Sequence, residues 1–407
     1  MKNIVFFNIP QFGHVLPTLP LVQRLCKQNA NVRYFCSEQF RPFIESVGAK
    51  FCPYNDFQLS LISHGIDDMK ENPDKKMCVD DLIMSGMELK NCFNIIAENL
   101  MSSNDFSNTD FVLFDAAAIW GKRLAAIMSI PSVSSITVLP VNRRMLLDEP
   151  EMTMDYFYWM DMEQIRKNGV DQTVRQLVRL LDRLKIDEIE YHTDFNLVYA
   201  PRFLHPMAEC FDDTFFFLAP DEFIRFSDTE AFLEPVDSSR LRIYISMGTI
   251  FNRNEKLLEI IVQAFSEERY EVLLSCGGAE VLRDVMLPPN ITVCGMVDPL
   301  QAMKKADVVV THGGLNGVKE AIYCGKPMVL LPQALDQFLN ARQVEHLGLG
   351  LQILKNEITW QRLRDAVDEV AISQTISKQV KKRQAEYAKG LWYSDAVEEL
   401  KERGMLT

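Results

Sequence analysis

The stretch that most constrains the fold of this chain runs from Thr311 to Asn340, THGGLNGVKEAIYCGKPMVLLPQALDQFLN. A short apolar run, Ala306-Asp307-Val308-Val309-Val310, leads into it. That run reads as a buried parallel strand, which is covered on both faces and needs no polar alternation. His312-Gly313-Gly314 breaks the strand. From Leu315 to Tyr323 apolar residues return at helical spacing, and Cys324-Gly325 is a helix stop. Met328 to Leu331 is a second buried strand, closed by Pro332. Strand, glycine turn, helix and strand in that order point the first N–H groups of the helix at one spot beyond the sheet, where a phosphate binds well. Gly313 and Gly314 keep side chains out of that spot.

Polar residues flank the turn. His312 lies at the strand end, and Glu320 follows about two helical turns later. Asp336-Gln337 opens the next helix with a carboxylate and an amide able to hydrogen-bond adjacent hydroxyls. The segment resembles the donor-binding signature of the UDP-glycosyltransferases, glycosyltransferase family one, which runs HxGxxSxxE…GxP…P…DQxxNA. His312, Gly314, Glu320, Gly325, Pro327, Pro332, Asp336, Gln337, Asn340 and Ala341 stand at its positions. So many matches in so short a stretch are far more specific than a lone glycine motif, though an ordinary strand–helix–strand unit without a ligand remains the alternative. The resemblance implies a nucleotide-sugar site made by Ser246, Gly248 and Thr249, by Val297, and by His312, Gly313, Gly314, Asn316, Gly317, Glu320, Asp336 and Gln337. Ser246-Met247-Gly248-Thr249 resembles the family's S-x-G-[TS] segment. Two departures stand out. Gly317 occupies a position that usually carries Ser or Thr. Asp298-Pro299 replaces a Pro-Gln pair near the base, leaving the backbone of Val297 to read the base edge.

At 407 residues the chain exceeds what one hydrophobic core usually serves, so two domains are expected. A composition 47% hydrophobic and 24% charged places it among ordinary globular proteins. The formal net charge of -13 argues against nucleic acid or an anionic membrane as partner. An anionic nucleotide sugar must then be held locally, by backbone N–H groups. The 9 cysteines form no C-x-x-C, and Cys36, Cys276 and Cys294 sit in apolar runs, which reads as buried free thiols in a reducing cytosol. The N-terminus enters a strand at once, Ile4 to Ile9, and no apolar run is long enough to span a bilayer. A cytoplasmic protein is expected.

Strand-like and helix-like segments alternate along the chain, the pattern of parallel α/β layers. In the first half, strands are read at Ile4–Ile9, Val32–Cys36, Phe51–Tyr54, Phe111–Phe114, Ser132–Ile136, Asn196–Ala200 and Thr214–Leu218. Pro10 to His14 reads as a loop and Asp80 to Met101 as a long amphipathic helix. Residues 219–240, rich in Asp, Glu, Pro and Ser, read as a linker. The second half starts afresh at Arg242–Met247 and ends on a strand at Leu351–Leu354 and three helices. The expected fold class is α/β. As the resemblance implies, it is GT-B: two doubly wound Rossmann-like domains facing a cleft, 1–218 for the acceptor and 241–385 for the donor. Residues 386–407 then form a C-terminal helix packing back on the first domain.

Joining a sugar to a hydroxyl requires removing the hydroxyl proton and stabilising the departing nucleoside diphosphate. His14, in Gly13-His14-Val15-Leu16-Pro17 after the first strand, has an imidazole suited to the first task. On spacing alone a loop histidine is more often bland. The family's G-H-x-x-P carries a general-base His at this place, and the resemblance assigns that role to His14. Asp115, at the end of a buried strand, is the partner that would fix its tautomer, or the N-cap of the helix near Ile119, or both. An acceptor site lined by Phe12, Trp120, Met145 and Phe157 would suit a hydrophobic aglycone; core or lid packing is the competing reading of these residues. No metal-ligand cluster, P-loop or dinucleotide fingerprint is found, so neither cofactor nor metal is expected. The resulting expectation is an inverting enzyme moving glucose from UDP-glucose to a small hydrophobic acceptor as a β-glycoside, acting as a monomer or weak homodimer. The rivals are a nucleotide-sugar epimerase and a catalytically silent nucleotide-sugar-binding protein.

Overall fold

The computed structural model describes residues 1–71, 79–150, 152, 167, 169–184, 193–220, 239–248, 254–276, 286–295, 297–334 and 336–406. The chain divides into two compact units, one formed by Met1–Ile224 with Gly390–Thr407 and the other by Arg225–Lys389. The interior of the 219–240 segment lies outside the described residues. Its first residue, Ala219, is buried and donates its N–H to Leu391 O (2.7 Å).

In the first unit the described strands form a seven-stranded sheet: β1 (Asn3–Phe7), β2 (Asn31–Cys36), β3 (Lys50–Pro53), β4 (Phe111–Asp115), β5 (Ser132–Ile136), β6 (Phe195–Val198) and β7 (Phe215–Phe217). Their spatial order is β3-β2-β1-β4-β5-β6-β7, and every pairing is parallel. Strand alternation sends Ile4 and Phe6 to one face and Val5 and Phe7 to the other. The first face packs on helices Leu19–Lys27 and Tyr393–Glu402, the second on helices Val79–Ser103 and Trp120–Met128. The C-terminal helix belongs to this core because Tyr393, Ala396, Val397 and Leu400 form one apolar stripe, and because Tyr393 Oη donates to Pro17 O (2.7 Å).

In the second unit the described strands form a six-stranded sheet: β8 (Leu241–Ser246), β9 (Tyr270–Ser275), β10 (Ile291–Cys294), β11 (Val308–Thr311), β12 (Met328–Leu330) and β13 (Gly350–Gln352). The order is β10-β9-β8-β11-β12-β13, again with parallel pairings throughout. The last strand begins earlier than its apolar pattern suggests, at Gly350. A Cβ there would lie 2.0 Å from Met328 O, so only glycine lets the two backbones pair so closely. Leu354 instead caps a short 3-10 turn, Lys355–Glu357. Pro10 to His14 is likewise not all loop. Phe12–Val15 is a helical turn, closed by His14 N–H and Val15 N–H on Gln11 O (3.0 and 2.9 Å).

Each sheet reverses its winding once. In the first unit β2 follows β1 on one side while β4 lies on the other; in the second unit β9 and β11 flank β8 in the same way. In open α/β sheets the carboxyl ends of the strands at such a reversal are where ligands bind. The residues at the ends of β1, β4, β8 and β11 therefore stand at the two ligand-binding edges.

Candidate active site

In the first unit the reversal brings together His14, just after β1, and Asp115, the last residue of β4. His14 Nδ1 lies 2.9 Å from Asp115 Oδ2. Asp115 is fully buried, and its other oxygen, Oδ1, accepts the Ala117 N–H (2.9 Å). Thr137 Oγ1, just past β5, lies 3.0 Å from His14 Nδ1 and 3.5 Å from Asp115 Oδ2. A carboxylate can only accept, so Nδ1 carries the ring proton and Nε2 the basic lone pair. The His14 side chain keeps 23% of its surface exposed. The arrangement is a solvent-accessible imidazole backed by a buried carboxylate. Such a pair can take a proton and stabilise the imidazolium that forms. Asp115 does not cap the helix near Ile119, which begins at Trp120 without a side-chain cap; its capping bond goes to Ala117.

In the second unit the reversal pairs Ser246, the last residue of β8, with Thr311, the last residue of β11, and so brings Gly248 beside His312. The His312 ring sits between two glycines. A Cβ on Gly248 (φ +72) would lie 2.5 Å from Cε1, and one on Gly314 would lie 2.5 Å from Nε2. Burial pushes the imidazole down to about 4, against a hydrogen bond to the Ser246 backbone that favours its charged form. Near neutral pH it is therefore uncharged. Gly313 (φ +85) makes the turn, and Asn340 Nδ2 holds it by donating to Gly313 O (2.9 Å) and to Asp336 Oδ2 (3.0 Å). Gly314 is the N-cap of helix Leu315–Tyr323, whose ladder begins with Val318 N–H on Gly314 O. The N–H groups of Leu315, Asn316 and Gly317 lie ahead of that ladder, in the first turn where an anion is favoured.

Further along the same helix, burial raises the Glu320 carboxyl to about 7; Lys319 beside it opposes the shift and Asp298 adds to it. Gln337 Oε1 accepts the N–H groups of Gln333 and Ala334 (2.9 and 3.2 Å), bracing the turn after β12. Val297 is buried, and Asp298 after it caps helix Pro299–Lys305 by accepting Leu300 N–H (3.0 Å). The Asp-Pro pair that departs from the resembled motif thus has a local structural cause, an N-cap followed by proline at the first helical position. Thr249 lies outside the described residues.

Comparison with known proteins agrees with this architecture. The profile of the glycosyltransferase family 28 C-terminal domain matches residues 252–392. The NDP-glycosyltransferase YjiC of Bacillus subtilis (strain 168) is 29% identical over 385 residues, which span 94% of this chain and 92% of that protein. YojK of the same organism, named as an uncharacterized UDP-glucosyltransferase, is 24% identical across 94% and 92%. Among solved structures, the calicheamicin glycosyltransferase CalG4 superposes with a TM-score of 0.74 at 22% identity, covering 99% of this chain and 98% of its own. This chain is a GT-B glycosyltransferase.

Two of the residues expected to line the acceptor site of this glycosyltransferase do not. Trp120 is 1% exposed; its indole N–H donates to Tyr54 Oη (3.3 Å) and its ring packs on Tyr54 and Phe93. Opening the helix under the sheet, it turns into the core shared with Phe7 and Phe114. Met145 is wholly buried in helix Arg143–Asp148, where the Asn142 cap receives its N–H (3.0 Å). Phe12 is partly buried, edge-on to Phe40 and Phe43. Phe157 and its aromatic neighbours lie outside the described residues. Thr137 was not singled out in the sequence. Its signal is positional: a hydroxyl just past the strand next to β4, where Ser135 pairs with Asp115. Among the described residues no group of three or more His, Cys, Asp or Glu could hold a metal, and no helix is long and apolar enough to cross a membrane.

Proposed function

We propose that this glycosyltransferase is inverting, moves glucose from UDP-glucose to the hydroxyl of a small hydrophobic acceptor, and gives a β-glycoside. The observation that carries the reading is the 2.9 Å contact between His14 Nδ1 and a fully buried Asp115 carboxylate at the winding reversal. His14 Nε2 takes the proton of the acceptor hydroxyl as its oxygen attacks the anomeric carbon. The bond from that carbon to the β-phosphate oxygen breaks, and the electron pair leaves with UDP. Attack opposite the leaving group inverts an α-linked donor.

The second unit supplies the groups suited to the leaving diphosphate. These are the first-turn N–H groups of helix Leu315–Tyr323 and His312, whose single N–H in the uncharged ring is held by the Ser246 backbone, so that its other nitrogen meets the diphosphate by taking up a proton. With these donors the reading requires no metal. Glu320 is assigned to the ribose, and Asp336 and the amide of Gln337 to the sugar hydroxyls. The names of relatives such as YojK favour UDP-glucose as donor.

The test is mass spectrometry of reactions offering UDP-, TDP- and GDP-glucose with flavonoid and macrolide acceptors, followed by proton NMR of the product. The expected result is a UDP-dependent product heavier by one hexose, with the large anomeric coupling of a β-glucoside. An α-linked product would overturn the inverting mechanism, and a product from TDP- or GDP-glucose alone would overturn the donor assignment.

A further inference from the structure

The turn that carries His14 has its own buried support. Asn8, one residue beyond β1, is fully buried and its Nδ2 donates to His14 O (3.2 Å) and to Tyr34 Oη (2.7 Å). Thr18 Oγ1 donates to Val15 O (2.6 Å) and lies 2.8 Å from Tyr34 Oη. Thr18 and Tyr34 are also fully buried.

The direction of every bond follows from the donor inventory. A backbone carbonyl can only accept, so the Thr18 hydroxyl proton goes to Val15 O. Thr18 must then accept from Tyr34, whose lone pair in turn accepts from Asn8. The second amide proton of Asn8 goes to His14 O, which also fixes which way the amide faces. Its Oδ1 is buried with no hydrogen-bond partner among the described residues, so the side chain is placed to donate. Burial holds the Tyr34 phenol well above its usual range, so it stays protonated and the chain keeps its direction.

The local backbone explains why side chains are needed. Leu19 N–H bonds Leu16 O in the tighter 3-10 pattern, around Pro17 and Pro20, while Val15 O takes the Thr18 hydroxyl. The carbonyls of two successive residues, His14 and Val15, are thereby tied to β1, to β2 and to the following helix by one directed chain.

We propose that Asn8, Tyr34 and Thr18 are positioning residues for glycosyl transfer, holding the backbone of the His14 turn so that the imidazole meets Asp115. The inference rests on the reading of His14 as the base. None of the three touches the reacting atoms. Their effect is on the placement of His14, and small misplacements of a catalytic group are costly in rate.

The test measures kcat, KM for the nucleotide sugar and Tm for Tyr34→Phe, Thr18→Val and Thr18→Ser, with His14→Ala and Tyr270→Phe in parallel. Tyr34→Phe removes one oxygen and leaves the ring stacked on Phe6 (centroids 4.5 Å). Tyr270→Phe removes a buried ring's hydroxyl bond to Asp368 in the other unit and controls for lost stability. The expected result is a kcat about 10- to 100-fold lower in Tyr34→Phe and Thr18→Val, with KM for the nucleotide sugar within about twofold of wild type. Thr18→Ser keeps the hydroxyl and should keep kcat, as should Tyr270→Phe. The Thr18 pair carries the test by itself if Tyr34→Phe does not fold. Wild-type kcat in Tyr34→Phe and Thr18→Val, beside an inactive His14→Ala, would overturn the positioning role alone. An active His14→Ala would overturn the base assignment on which it rests.

Discussion

Replacing Asp115 by asparagine should remove most of the rate while leaving the fold intact, and the reason lies in how the carboxylate is held. Its Oδ1 accepts the Ala117 N–H and its Oδ2 faces His14 Nδ1 at 2.9 Å. An asparagine must keep its oxygen toward Ala117, so its amide N–H₂ turns toward His14. Nδ1 then has to accept, the ring proton moves to Nε2, and the nitrogen assigned to the acceptor hydroxyl loses its lone pair. The charge contact is lost as well. Opposite charges about 4 Å apart in a medium of effective dielectric about 20 attract by about 4 kcal/mol. At about 1.4 kcal/mol per tenfold, that corresponds to about a thousandfold in rate. A comparable change in a buried Asp–His pair elsewhere costs about 10⁴-fold through the same tautomer error. The assay is kcat for glucosylation from UDP-glucose at saturating acceptor, alongside Tm. A kcat within about tenfold of wild type, in a variant that melts normally, would refute the argument that Asp115 sets the His14 tautomer.

Three further changes follow from the geometry. Gly248→Ala should weaken UDP binding about tenfold by calorimetry, because its Cβ would press the His312 ring from 2.5 Å and its φ of +72 is unfavourable for alanine at about 1–3 kcal/mol; unchanged affinity would remove His312 from the diphosphate site. Gly317→Ser should bind UDP more tightly by up to about tenfold, one added hydrogen bond being worth about 1 kcal/mol. The new Cβ meets Thr311 Oγ1 only at 3.4 Å, an ordinary contact, and weaker binding would show that position 317 does not face phosphate. His205 should make the protein acid-sensitive. Its Nε2–H donates to Pro140 O (2.7 Å) and its Nδ1 accepts Met207 N–H (3.1 Å), so the neutral ring is fully used. Burial accordingly pushes it down to about 4. The unfolded chain, with an ordinary value near 6.5, binds the proton first, so stability present above about 6.5 is lost as pH falls toward about 4, up to about 3 kcal/mol. Melting curves across that range should show a flatter acid limb in His205→Gln, and identical slopes would contradict the assignment.

The parts of the fold legible in the sequence are those written in local pattern. The helix after the glycine turn, Leu315–Tyr323, was readable to its ends because a buried strand, a glycine N-cap and a Cys-Gly stop bound it within a few residues. His14 and Asp115 were readable because each follows a continuous apolar strand, and parallel strands deliver their last residues to one edge. What failed was facing. Trp120 follows Asp115 closely in sequence, yet opening a helix under the sheet turns its side chain toward Phe7 and Phe114, and no one-dimensional pattern says which face that helix covers. The clamp on His312 was hidden for a related reason. Gly248 and Gly314 meet the ring from two different strand ends, so their joint requirement for glycine exists only once β8 and β11 pair. Asn8, Thr18, Tyr34 and Thr137 look like scattered polar residues until β1, β2, β4 and β5 stand side by side.

The most direct test of the account pairs turnover with nucleotide binding in His14→Ala. UDP binding to the native state raises Tm by mass action, whatever the state of the base. If His14 is the base, oriented by Asp115 and apart from the nucleotide, the variant should lose about a thousandfold or more in kcat while keeping the wild-type Tm shift with UDP. Turnover close to wild type, or loss of the UDP shift together with activity, would contradict it.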